Sequence, residues 1–294
     1  MAAGDIVHMV TGRKPVEYHC NCEFCSVAIG ELRKPEGEYY SRLERRQYYD
    51  ASERGKDEGA HIAKTPLHIA RWAIQQYTKV GDWVLDPTIG AGTTAVEALT
   101  QHRNAAGMEI QYAKVLKANI DRNRMNGTEA RIRIGDARKI GAFLDELNIK
   151  FQLVVNNPPY SGDESMPSPA KEGRGREFRD KETTFFYKEG LPNLAFLKEG
   201  PEYWEALGYI YNDCIAHLAP GGYFVVGVKD MIRSKRPFLL HRDIALMLRD
   251  RFNMRHVGTA FLKHYPGTLF LNSYEQMHGV KPPSYQTIIV FQKD

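Results

Sequence analysis

Apolar and polar positions along the chain fall into two regimes that meet near residue 60. Residues 1 to about 60 sustain neither a period of 2 nor one of 3.6, and Arg42 to Gly59 is dense in charge, as a solvated helix followed by a loop would be. From Thr65 the pattern becomes regular. Pro66 with Leu67, Ile69, Ala70, Trp72, Ala73 and Ile74 predicts a helix with Thr65 as its cap and proline at the first helical position. Short apolar runs then alternate with helical ones. Strands are predicted at Trp83 to Leu85, Asn104 to Ile110, Arg131 to Ile134, Phe151 to Val155 and Tyr223 to Val228. Helices are predicted at Thr93 to Thr100, Gln111 to Asn126, around Leu144, and at Tyr203 to His217 before Pro220-Gly221-Gly222. Arg255 to Leu262 and Thr287 to Phe291 suit a closing antiparallel pair. Strands alternating with helices of this length predict βαβ units and a mostly parallel sheet, an α/β fold. The connections at 161–200 and 263–285 exceed what packing needs, a length that goes with function or disorder.

The run Phe151-Gln152-Leu153-Val154-Val155-Asn156 ends in Asn157-Pro158-Pro159-Tyr160. Two prolines in succession have no N–H to donate and fix φ, so the strand must stop there. The result is a stiff turn that presents an amide and an aromatic ring at a strand's carboxyl end, the edge where parallel α/β sheets bind ligands. Acceptors in a plane and a ring for a face suit a flat nitrogenous group.

Asp86-Pro87-Thr88-Ile89-Gly90-Ala91-Gly92-Thr93-Thr94 lies between a predicted strand and helix. Its glycines allow a sharp turn and close backbone approach, and the helix start offers N–H groups to an anion; a plain tight turn is the other reading. Glu109, 23 residues beyond Asp86, ends the next strand. An acid there accepts from a ribose hydroxyl pair, which supports a nucleoside cofactor without separating a nicotinamide dinucleotide from S-adenosylmethionine. Asp136, after the third strand, is placed either to accept from an adenine amino group or to cap a helix.

Composition narrows the setting. Of 294 residues, 43% are hydrophobic and 26% charged, ordinary for a soluble globular chain with a sizeable core. Met1 to Thr11 has no continuous apolar stretch and no run approaches membrane-spanning length, so neither secretion nor insertion is expected. Three of the four cysteines fall within six residues, which is no disulfide framework and points to a reducing cytoplasm. A net charge of +4 is compatible with a polyanionic partner without demanding one.

Taken together, Asp86-Pro-x-x-Gly90-x-Gly92-Thr93-Thr94 followed by Asn157-Pro158-Pro159-Tyr160 resembles the amino-methyltransferases that modify N6 of adenine or N4 of cytosine in DNA. Lys64-Thr65-Pro66-Leu67 and Gly81-Asp82-Trp83-Val84-Leu85 resemble the segment leading into that family's cofactor loop, and Thr287 to Lys293 its last strand. The likeness covers residues 61–160 well, 203–230 moderately and 285–294 weakly. The loop lacks the aromatic often found two positions after the aspartate, and the Lys64 segment is usual in members that carry the tetrapeptide first, whereas here the cofactor half precedes it.

The resemblance implies a class I methyltransferase, a Rossmann-like, mostly parallel seven-stranded sheet with an antiparallel closing strand. It implies a catalytic domain over 61–294 behind an N-terminal extension, 1–60, available for substrate contact, with 161–200 and 229–285 as target-recognition loops. It implies S-adenosylmethionine held by Asp86, Thr88, Gly90, Gly92, Thr93, Thr94, Glu109 and Asp136, with Thr65 near the carboxylate end. Asn157 and the Pro158 carbonyl would accept from the exocyclic amine, Pro159 would complete the rigid turn, and Tyr160 would stack on a base flipped from its helix. Such enzymes serve DNA methylation and restriction-modification, so DNA is the expected partner, with Asn157 leaning toward adenine. The alternative is an RNA methyltransferase (tRNA or rRNA) acting on adenine N6 or guanine N2; a protein glutamine methyltransferase and a non-enzymatic nucleic-acid-binding module stand further off.

Two further features lie outside that resemblance. His19-Cys20-Asn21-Cys22-Glu23-Phe24-Cys25 clusters three thiols suited to zinc, with His19 or His61 as a fourth ligand; free or partly buried cysteines are the other reading. Cys214, in a helical segment, reads as a core residue. Lys171 to Lys188 and Lys229 to Arg242 interleave basic and aromatic residues, suited to phosphate contact and base stacking or to a solvated loop.

Overall fold

Hydrophobic runs separated by amphipathic segments build an eight-stranded mixed sheet with helices on both faces. A computed structural model describes residues 12–15, 20–32, 65–160, 194, 197, 200–233, 236–263 and 283–294. In chain order the elements are α1 (Glu23–Ser26), β1 (Ala28–Leu32), α2 (Leu67–Tyr77), β2 (Trp83–Asp86), α3 (Thr93–Thr100), β3 (Asn104–Glu109), α4 (Ala113–Asn123) and β4 (Ala130–Ile134). A 3-10 turn, Ala137–Lys139, then leads into α5 (Ile140–Leu147), followed by β5 (Phe151–Asn156), α6 (Pro201–His217) and β6 (Leu218–Lys229). The chain ends with a small β7–β8 hairpin (Met231–Arg233, Arg236–Phe238), α7 (Leu240–Leu246) running into a π turn, β9 (Arg255–Lys263) and β10 (Tyr285–Gln292). Among the described residues, no helix is long and apolar enough to cross a membrane.

The strand order is β1-β9-β10-β6-β5-β2-β3-β4. All neighbours run parallel except β10, which is antiparallel to both β6 and β9, so the expected closing pair forms. Among the described residues the sheet has eight strands, one more than the expected seven. The additional strand is β1, from the polar N-terminal segment, which pairs with β9 in parallel, Glu31 opposite Phe261 and Leu32 opposite Leu262. It covers what would otherwise be an unpaired edge.

Strand geometry sends successive side chains to opposite faces, and the core obeys it. Leu85, Val154, Phe224, Val226 and Ile289 join one apolar cluster with residues of α5, α6 and α7. Their neighbours Val84, Leu153, Val155, Val225 and Ile288 join a second cluster with residues of α2, α3 and α4. Three layers follow from that alternation.

Element ends differ from expectation for local reasons. Pro66, at φ −59° and ψ 125°, takes the cap position of α2 and its carbonyl accepts from Ile69 N–H, so Thr65 lies one residue outside. Helix α4 starts at Ala113 because the Glu109 carboxylate takes the N–H groups of Gln111 and Tyr112. Strand β6 begins well before Tyr223, since Gly221 and Gly222 pair with Lys293 and carry the ladder through the expected stop.

The chain runs outward from β2 to β3 and β4, then crosses back to β5 on the other side of β2. The order therefore reverses between β2 and β5, whose Val84 and Leu85 face Leu153 and Val154. Beyond the carboxyl ends of such a pair, a sheet of this kind opens a crevice for ligands.

Candidate active site

Both sequence motifs meet at that reversal. Strand β2 delivers Asp86 and strand β5 delivers Asn156, and the two side chains touch: Asn156 Nδ2 donates to Asp86 Oδ1 at 3.4 Å and to Thr88 Oγ1 at 2.8 Å. Asp86 also accepts from Thr94 Oγ1 at 2.6 Å and from Thr88 N–H at 3.1 Å. Tyr211 of α6 donates to Asn156 Oδ1 at 2.9 Å. Asp86 is thus a buried brace that fixes the loop's start, the first turn of α3 and the β5 terminus relative to one another. Burial pushes its carboxyl up to about 6, against the pull of the Thr94, Thr88 and Asn156 hydrogen bonds. Of the residues expected to hold a cofactor, Asp86, Thr88 and Thr94 form this frame.

The glycines play the other part. Gly90 and Gly92 have φ of 56° and 93°, the left-handed region that favours glycine, and a β-carbon on Gly92 would come within 2.6 Å of Leu116. Gly92 caps α3, and Thr93 opens it with N–H groups that an α-helix leaves without intrahelical partners. Glu109 lies at the end of β3. It holds the N–H groups of Gln111 and Tyr112 at 2.6 and 2.8 Å, with Gly90 and Ile110 amides beside it, and burial raises its carboxyl. A carboxylate facing a glycine loop, beside a helix N-terminus, is a donor and acceptor set that fits a nucleoside carrying an amino-acid group. Asp136 sits at the start of the 3-10 turn, accepting from Arg138 N–H at 3.0 Å and pairing with the Arg138 guanidinium. That is the helix-capping geometry. Thr65 precedes α2, whose Ile69 shares an apolar cluster with Ile89 of the loop.

The turn after β5 is pinned from two sides. Tyr203 OH donates to the Pro159 carbonyl at 2.9 Å, and Lys229 N–H donates to Tyr160 OH at 2.9 Å. Asn157 is different. Its Oδ1 is shielded from solvent and accepts no hydrogen bond from any described residue. Buried polar atoms are nearly always paired, so an orphaned acceptor here is informative.

Several residues that shape the site carry no motif. A β-carbon on Gly227 of β6 would stand 2.9 Å from Asn157 Oδ1 and 3.3 Å from both Gln286 Nε2 and Ile69 Cδ1. One on Gly107 would meet the Asp86 carbonyl at 2.4 Å. A lone glycine inside a strand is the available signal for such close approach. Asn156 closes a predicted strand and Tyr211 lies in a predicted helix, and only the fold reveals their network.

The cysteine cluster forms, with a fourth member from far along the chain. Cys20, Cys22, Cys25 and His241 have ligand atoms all within 4.8 Å of one another. His19 and His61 lie outside the described residues. Cys214 is fully buried in α6, its thiol pushed well up by burial, as a core residue's would be. In the basic stretches, Lys229 is half-buried with its ammonium lowered by desolvation, Arg242 is exposed, and 171–188 lies outside the described residues.

Residues 14–118 match the DNA methylase family that comprises N6- and N4-methyltransferases. The type II methyltransferase M.BglI of Bacillus subtilis is 38% identical over 86 residues, an alignment covering 29% of this chain and 24% of that protein. The type II methyltransferase M.MthZI of Methanothermobacter thermautotrophicus is 28% identical over 138 residues, covering 44% and 37%. The chain therefore aligns with well under half the length of these relatives. Among solved structures, TrmN from Thermus thermophilus overlays 80% of this chain and 51% of its own, at a TM-score of 0.44 and 15% identity. The segment that builds the glycine loop and its flanking strands is thus the part of this chain that is similar to DNA methylases.

Proposed function

We propose that this protein transfers a methyl group from S-adenosylmethionine to the exocyclic amino group of a DNA base, with adenine N6 favoured over cytosine N4. The observation that carries the reading is Asn157 Oδ1, a buried acceptor at the β2–β5 crevice without a donor among the described residues. An exocyclic amine conjugated into a base is a poor nucleophile because its lone pair is delocalised. Accepting hydrogen bonds from its two N–H groups at Asn157 Oδ1 and the Pro158 carbonyl draws the nitrogen toward a tetrahedral shape and localises that lone pair. After transfer the methylated nitrogen releases one proton to solvent and S-adenosylhomocysteine leaves. The chemistry supplied by S-adenosylmethionine, when bound, is an electrophilic methyl on a sulfonium centre. The residues fitted to hold it are Gly90, Gly92, Thr93 and Glu109, with Asp86, Thr88 and Thr94 keeping their loop rigid. Tyr160 gives a flipped base an aromatic face, and its hydroxyl is fixed by Lys229 N–H. No side chain forms a covalent intermediate, so rate comes from positioning and from acceptors preorganised out of water. Cys214, buried in α6, takes no part.

The test supplies labelled cofactor together with DNA, tRNA and ribosomal RNA and identifies the modified nucleoside by mass spectrometry. Label as N6-methyladenine in DNA is the expected result. Label confined to RNA or protein would overturn the DNA assignment, and N4-methylcytosine would overturn the adenine preference.

A further inference from the structure

We propose that Cys20, Cys22, Cys25 and His241 bind one zinc ion in a closed, structural site. This site would fasten the N-terminal segment to the strand end that holds Tyr160. The assignment is independent of the reaction above. His241 Nε2 lies 3.4 Å from Cys22 Sγ and 3.2 Å from Cys25 Sγ. Zinc bonds of about 2.3 Å to sulfur and about 2.1 Å to nitrogen, set at tetrahedral angles, bring those ligand atoms to roughly 3.6 Å apart. The observed spacing is close to that. The other imidazole nitrogen settles the ring's role: Nδ1 lies 2.7 and 2.8 Å from the Asp230 carboxylate oxygens, which accept its proton. In the neutral ring that a metal would bind, Nε2 is then the lone-pair nitrogen, and it faces sulfur. A carboxylate behind a histidine in this way fixes the tautomer and ring orientation of a metal ligand.

Donor type and room select the ion. Three thiolates and one imidazole in tetrahedral array suit zinc. All four ligand atoms lie within 4.8 Å of one another, room for one ion and too little for a multi-iron cluster. Cys20, Cys25, His241 and Asp230 are all buried, and four protein ligands leave no position for water or substrate. The site is therefore structural, without catalytic chemistry of its own.

Its position explains what it stabilises. Cys20 and Cys22 precede α1, Cys25 lies within it, and the helix leads into β1, the short strand added to the β9 edge. Thr259 of β9 donates from Oγ1 to the Phe24 carbonyl and from its amide to that of Val27. Asp230 directly follows Lys229, whose amide holds Tyr160. A short helix and a five-residue strand have little core of their own, and a metal that joins them to α7 supplies the missing constraint.

Metal analysis of the untagged full chain, as purified, is expected to give close to one zinc per chain. His241→Ala should lose it and Cys214→Ala should keep it. Asp230→Ala should weaken zinc in competition with a chromophoric chelator by about 10- to 100-fold, with Asp230→Asn recovering part of the loss. Because variants can misfold, the unaltered chain is also loaded with cobalt(II), which should give tetrahedral visible bands and thiolate-to-cobalt charge transfer. Hydrogen exchange after zinc removal should rise at residues 20–32 and 228–241. A chain that carries no zinc and shows no tetrahedral cobalt spectrum overturns the proposal, as does exchange at those segments that ignores the metal.

Discussion

The amide oxygen of Asn157 lies over Gly227, 2.9 Å from where a β-carbon on that glycine would stand. Ile69 Cδ1 and Gln286 Nε2 crowd the same point at 3.3 Å, so an added methyl has no free direction. Gly227→Ala must push the Asn157 side chain out of place. Misplacing a reacting group by about 1 Å costs roughly 100-fold in rate. The variant is expected to lose methyl transfer by that order, to bind S-adenosylmethionine within about threefold of wild type, and to lose about 1–3 kcal/mol of stability through overpacking. Calorimetry and single-turnover transfer separate the effects. Normal transfer would mean that Asn157 tolerates displacement and does not position the amine.

Removing the orphaned acceptor should cost activity and not stability. A buried polar atom without a partner destabilises a fold by about 1–3 kcal/mol, so Asn157→Ala relieves a penalty as it deletes contacts. Its melting temperature is expected to match or exceed that of wild type, with methyl transfer at least about 100-fold lower and cofactor affinity kept. A large fall in melting temperature with parallel losses of binding and transfer would identify Asn157 as a structural residue.

How far the sequence discloses this arrangement depends on the range of each contact. The strand–helix alternation, the stop at Pro158-Pro159 and the loop from Asp86 to Thr94 are local, and the sheet forms around them as the pattern predicts. Strand β1 was hidden because Ala28 to Leu32 is short, contains Gly30 and gains its stability from β9, more than 200 residues away. His241 was hidden for the same reason. Nothing near Cys25 in sequence announces a ligand 216 residues later, and the nearer candidates His19 and His61 lie outside the described residues. The loop position of Asp86 suggests a cofactor contact; its hydrogen bonds to Thr94, Thr88 and Asn156, which brace that loop, depend on the fold and are not legible in the sequence.

Tyr160 combines a ring and a hydroxyl whose roles can be separated. Tyr160→Phe keeps the ring and removes the acceptor of Lys229 N–H. Tyr160→Ala removes both. Base–aromatic stacking is worth about 1–3 kcal/mol, so Tyr160→Ala should raise KM for DNA by about 10- to 100-fold. Tyr160→Phe should leave KM within a few-fold of wild type and lower the melting temperature, because a backbone donor loses its partner. Steady-state kinetics on a short duplex with one target base checks both. Equal KM for the two variants would remove stacking from the account.

Asp86 makes a pH prediction whose sign follows from burial. The carboxyl titrates near 6 in the folded chain against an ordinary value of 3.8, so between those values the folded state holds a proton that the unfolded state has released. Folding is then favoured as pH falls through this window, and the ionised group opposes folding by about 3 kcal/mol above it. Other carboxyls titrate in the same range, so the informative quantity is the difference between wild type and Asp86→Asn. The amide keeps an acceptor for Thr88 N–H and Asn156, and Thr94 Oγ1 can rotate to accept from its NH2 group. The variant should fold and lack this titration. From denaturant unfolding at a series of pH values, wild type is expected to gain up to about 3 kcal/mol on the variant between about pH 7 and pH 4, mostly below pH 6. A pH-independent difference would show that the Asp86 carboxyl titrates alike in both states. A difference moving the other way would show that its three hydrogen bonds outweigh desolvation and hold it below the ordinary value.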